Sequence, residues 1–124
     1  MMQTEILFPF LETIIAESAA KAGGVYTLYD KKKKIIYYGK AQKQGISERL
    51  LSHTNPESDC LDSVHYFSFE VTNNPEKRYA QLLRKYQNTN GKLPDCNERM
   101  ESVARREAQE FASSGVLTNA FLGN

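Results

Sequence analysis

The sequence predicts an α+β fold: a small three-stranded antiparallel sheet flanked by helices. Three runs rich in β-branched and aromatic residues, Val25–Tyr29, Ile35–Tyr38 and Val64–Val71, have the composition of strands. The first two are separated by a short polar stretch, which makes them a hairpin. Around the strands, apolar residues recur at helical spacing in segments bounded by glycine, proline and capping residues.

Taken in order, Phe10 to Ala22 is expected to be helical, because Leu11, Ile14, Ile15, Ser18, Ala19 and Ala22 follow the i, i+3, i+4 pattern, and Gly23-Gly24 stops it. The hairpin follows, with Lys31, Lys32, Lys33 and Lys34 in its turn. A Gln- and Lys-rich link leads into a short helix from Ser47 to His53. Ser47 is its expected cap, and Leu50 and Leu51 form its buried face. Thr54 to Asp59 is a loop with Pro56. Val64–Val71 alternates, placing His65, Phe67, Phe69 and Val71 on one face and Tyr66, Ser68 and Glu70 on the other. Pro75 suits the first turn of a helix to about Gln87 that buries Tyr79, Leu82, Leu83 and Tyr86. The polar link Asn88 to Lys92 then reaches Pro94-Asp95-Cys96-Asn97, where Asn97 is placed to cap a last helix with Met100, Val103, Ala104, Ala108, Phe111 and Ala112 on one stripe.

With 124 residues, 40% hydrophobic and 25% charged, the chain has the size and composition of one globular domain. No apolar run reaches the length of a membrane span, and the start carries no basic n-region, so a cytoplasmic location is expected. Cys60 and Cys96 are read as two reduced structural cysteines. With His53 and His65 they match no zinc-finger spacing.

The net charge of +1 conceals clustering. Residues 30 to 49 carry seven lysines and arginines against two acids, and residues 75 to 92 carry five against one. Residues 50 to 74 carry four acids and no lysine or arginine. Such clusters suit a polyanionic partner, although they also mark ordinary solvated surface.

The stretch Gly24-Val25-Tyr26, ten residues, Tyr37-Tyr38-Gly39-Lys40 resembles the signature of the GIY-YIG nuclease superfamily. Arg49 matches the arginine of the helix that follows, His53 the histidine often four residues beyond it, and Pro94 to Asn97 the family's Pro-x-x-Asn ending. Tyr38 stands where an aliphatic residue is usual. The resemblance covers roughly residues 23 to 97, with residues 1 to 22 as an N-terminal helix and 98 to 124 as a C-terminal helix and tail. It implies an α/β sandwich and metal-dependent hydrolysis of DNA phosphodiester bonds, with Mg²⁺ or Mn²⁺ as cofactor in an active member. The implied site residues are Tyr26, Tyr37, Lys40, Arg49, His53 and Asn97. Tyr26 or Tyr37 would activate water, Lys40 and Arg49 would meet the phosphate, and Asn97 would give polar support.

A free tyrosine is only about 0.3% phenolate at pH 7.5, so a tyrosine base would need a neighbouring cation, for which Lys40 and Arg49 are the local candidates. Arg49 also offers a planar fork matching two phosphate oxygens. The family's metal-binding glutamate has no counterpart. Counting back from Asn97 leads to Arg84 or Lys85, the apolar pattern to Leu82, and Glu76 lies about two turns earlier. No metal ligand is therefore assigned, and Glu70, Glu98 and Glu101 are the acids that could substitute. The alternative to an active endonuclease is a catalytically inactive, nuclease-derived module that binds nucleic acid or a protein partner.

Overall fold

A computed structural model describes residues 6–54 and 59–99. The elements are β1 (Phe8–Pro9), α1 (Glu12–Ser18), β2 (Gly24–Tyr29), β3 (Ile35–Ala41), α2 (Ile46–His53), a 3₁₀ turn (Asp59–Ser63), β4 (Tyr66–Val71) and α3 (Pro75–Asn90). Residues 95–99 form a further helical turn. The proposed stripe from Met100 to Ala112, like Pro56 and Glu101, lies outside the described residues.

The sheet is antiparallel and has four strands in the order β1-β4-β2-β3, one more than the sequence suggested. The added strand is the two-residue β1, where Phe8 pairs with Phe67 and its ring stacks on Phe67 and Phe69 at 5.3 and 6.0 Å. So short a strand, half of it proline, leaves no periodic trace; proline is tolerated there because β1 is an edge.

Register assigns the faces. Tyr26 lies opposite Gly39 and Phe69, and Leu28 opposite Tyr37 and Phe67, so these side chains share one face. There α1 and α2 contribute Ile15, Ile46 and Leu50, all fully buried against Tyr26, Leu28 and Phe67. Each fully buried aliphatic side chain is worth roughly 1.5–3 kcal/mol, which makes this face the main core. On the opposite face α3 rests on β3 and β2. Its apolar residues Tyr79, Leu82, Leu83 and Tyr86 are half-buried rather than enclosed.

Helix boundaries differ from expectation where backbone groups have other duties. α1 stops at Ser18, and Ala19 is extended. The carbonyls of Ala20 and Ala22 then accept from the amides of Ser47 and Ile46, satisfying the open N-terminus of α2. Ser47 is therefore not the cap of α2; Gly45, at φ 91°, occupies that position. α3 begins as expected, with Pro75 in its first turn and Asn74 accepting from the Lys77 amide. It continues through the polar residues to Asn90, because the left-handed Gly91 is the stop and donates to the Gln87 carbonyl.

Cys60 and Cys96 are joined in a disulfide, their Cα atoms 5.7 Å apart, which overturns the reading of two reduced thiols. The bond links the 3₁₀ turn to the 95–99 turn across a sequence separation of 36, a proximity that only the fold creates. Among the described residues, no helix is long and apolar enough to cross a membrane.

Candidate functional site

The two motif glycines mark places where side chains must pass. A β-carbon at Gly39 would overlap the ring and hydroxyl of Tyr26, its cross-strand partner. Tyr26 thus extends over Gly39 toward the outer edge of the sheet. A β-carbon at Gly24 would collide with the Glu70 carbonyl and with Ile46, which seats α2 on the sheet. Gly39 makes room for Tyr26, and Gly24 makes room for the helix that carries Arg49 and His53.

Tyr26 is fully buried, and its hydroxyl lies 2.7 Å from His53 Nε2. The Tyr37 ring is edge-on to His53, with centroids 5.7 Å apart, and tilted against Tyr26 at 6.3 Å. Tyr37 is half-buried, as is Arg49, one helical turn before His53. The Arg49 guanidinium acts electrostatically on Tyr26, Tyr37 and His53. Strands β2 and β3 and helix α2 therefore bring Tyr26, Tyr37, Arg49 and His53 together.

Their protonation departs from a phenolate site. Burial raises the Tyr26 pKa above its usual value, the neighbouring Tyr37 adds to the rise, and Arg49 offsets only part of it. Tyr37 is raised as well, chiefly by burial. Burial, followed by the Arg49 charge, pushes His53 down to about 4. Tyrosine and histidine are thus both neutral at pH 7. The Tyr26 hydroxyl and the neutral imidazole share one hydrogen bond, and Arg49 is the charge beside the pair.

Lys40 takes a different position. It leaves β3 on the opposite face from Tyr26, bonds Glu76 at 2.7 Å and lies over the Tyr79 ring at 4.9 Å. Glu76 also accepts from Gln42 at 3.0 Å, and the Lys40 hydrogen bond holds its carboxyl below the usual range. Tyr79, half-buried on α3 with its ring beneath Lys40, is within electrostatic reach of Tyr26 and Tyr37, and Glu76 lies one turn earlier. Leu82 and Lys85 line a groove of about 580 Å³ between α3 and the other sheet face, and Arg84 is exposed. Tyr79 had been assigned to packing because its spacing with Leu82, Leu83 and Tyr86 is that of a buried stripe; no pattern in the chain distinguishes it.

Asn97 lies within the 95–99 turn rather than capping it. Its Oδ1 accepts from the Tyr38 amide at 2.7 Å, and its Nδ2 donates to the Tyr38 carbonyl at 2.9 Å. β3 ends the sheet, so these backbone groups face away from β2, and the buried asparagine stands in for a further strand. It braces the motif strand from outside.

A divalent cation usually rests on one or two carboxylates together with substrate oxygens and waters. Glu76 is committed to Lys40 and Gln42, and Glu70 to Arg78 at 3.0 Å. Glu98 is exposed, and among the described residues no three histidines, cysteines or acids cluster as a metal set. Glu76 and Glu70 would each have to exchange a lysine or arginine partner for a divalent ion.

No family model and no curated protein matches the sequence. Among solved structures, the chain is similar to the magnesium-bound GIY-YIG N-terminal endonuclease domain of UvrC from Thermotoga maritima, at 26% identity and a TM-score of 0.48, over 59% of this chain and 90% of that one. A point mutant of the same domain, bound to its catalytic divalent cation, matches with the same identity and TM-score over 89% of its length. The motif residues read from the sequence lie on paired strands of an α+β arrangement, in keeping with the resemblance to the GIY-YIG superfamily that they carry.

Proposed function

We propose that this chain is a GIY-YIG-type nucleic-acid domain that seats a backbone phosphate at Arg49, beside the neutral Tyr26–His53 pair, with DNA as the expected partner. The buried 2.7 Å contact between Tyr26 and His53, with Arg49 against it, carries this reading. A phosphate approaching the half-exposed guanidinium would find a charged two-point donor, with the Tyr37 hydroxyl nearby. Burial leaves the neutral Tyr26–His53 pair a poor base for an attacking water, so Arg49 carries the charge of the site. Arg49 would then face the charge that develops on the phosphate.

The commitment of Glu76 to Lys40 favours binding over efficient metal-supported hydrolysis. Purified protein incubated with supercoiled plasmid in magnesium or manganese is expected to nick it slowly or not at all while retaining it on a gel. Rapid nicking that disappears in Glu70→Gln, Glu76→Gln or Glu98→Gln would overturn the binding reading and name the carboxylate responsible.

A further inference from the structure

The disulfide and the asparagine brace belong to one short turn. Cys96 and Asn97 are adjacent; Cys96 is 1% exposed and Asn97 6%. Cys96 enters the core cluster with Leu50 and Leu61, while Asn97 reaches in the other sense to bracket Tyr38. The turn itself is short, with the Glu98 amide donating to the Pro94 carbonyl. Its position beside β3 therefore depends on four attachments: the asparagine amide, the exposed ion pair of Asp95 with Lys34 at 3.5 Å, the burial of Pro94 and Cys96, and the covalent bond to Cys60. The bond anchors it to the 3₁₀ turn, which leads into β4 rather than β3.

We propose that the Cys60–Cys96 bond is a redox-reversible lock on the motif strand: oxidised, it holds Asn97 against Tyr38, and reduced, it releases that brace while the rest of the sheet stays formed. Cys60 is half-buried whereas Cys96 is enclosed, so Cys60 is the sulfur open to attack. A thiolate of a small dithiol would form a bond to Cys60 Sγ as the Sγ–Sγ bond breaks and Cys96 leaves as thiolate and takes up a proton. The second thiol of the reductant would then displace Cys60. Two electrons and two protons pass to the protein, and the dithiol becomes a disulfide. In a reducing compartment a disulfide is characteristically transient or sensing rather than a permanent staple. The central strand β2 is paired on both sides and has no contact with Asn97 among its bonds, so release of the brace is confined to the edge.

Amide hydrogen exchange tests this without reference to any nucleic acid. In the oxidised full-length protein, the Tyr38 amide should be protected. Dithiothreitol should raise its exchange at least tenfold, while Thr27 and Leu28 in β2 change less than twofold. Asn97→Ala with the disulfide intact should give the same Tyr38 rate and lose most of the response to reductant. The Cys60→Ser/Cys96→Ser double variant should match the reduced wild type. If that variant fails to fold, the wild-type oxidised and reduced rates decide the matter. An unchanged Tyr38 rate on reduction would overturn the proposal. So would an equal rise at Tyr38, Thr27 and Leu28, which would make the bond a global staple, or two free thiols found by mass analysis after mild oxidation.

Discussion

The Tyr26 hydroxyl and His53 Nε2 lie 2.7 Å apart in a setting where burial keeps both groups neutral. Tyr26→Phe would leave the imidazole nitrogen buried without that partner. Loss of one partner of a buried hydrogen bond costs about 1–3 kcal/mol. Urea unfolding of the variant should therefore show a lower midpoint at pH 7.5 with an unchanged slope.

Acid should act first through His53. Its pKa falls from 6.5 to about 4 on folding, so between those values the unfolded chain binds the extra proton. Stability from this group is fully present above pH 6.5 and is lost as pH falls toward 4, by about 3 kcal/mol in order of magnitude. Glu76 and Asp95, whose pKa values are lowered, lose their contribution only at lower pH. Thermal melts of wild type and His53→Gln between pH 7 and 5 should converge, the wild type declining and the variant staying flatter. Parallel declines would show that His53 is not the group responsible.

The sequence disclosed the strands that carry Tyr26 and Tyr37 and the helix that carries Arg49 and His53, because each has a local signature: β-branched runs, a hairpin and a helical repeat. Three features depended on proximity across the fold and had none. β1 was too short to show a period. Asn97 looked like a helix cap because asparagine before a helical stretch commonly is one; its bond to Tyr38 spans 59 residues. Cys60 and Cys96, in no recognised motif, gave no hint of pairing. Counting along α3 depends on the same kind of information. α3 runs on through its polar end to Asn90, and which of its residues faces the site depends on how it lies across β3.

That placement makes a test of the α3 assignment possible. Tyr79→Glu puts a carboxylate at the α3 position within electrostatic reach of Tyr26 and Tyr37, whereas Leu82→Glu faces the groove and Arg84→Glu faces solvent. Plasmid nicking in manganese should rise above wild type in Tyr79→Glu and not in the other two. A gain confined to Leu82→Glu or Arg84→Glu would restore the position obtained by counting from Asn97.

Phosphate seating by Arg49 is the claim on which the functional account depends, and the salt dependence of DNA binding measures it directly. Log affinity for a short duplex should fall linearly with log salt, with a slope of roughly 0.9 for each phosphate neutralised. Arg49→Ala should bind more weakly at low salt and with a slope shallower by about one. Wild type and Arg49→Ala with the same affinity and the same slope, or a wild type that binds no DNA at low salt, would contradict it.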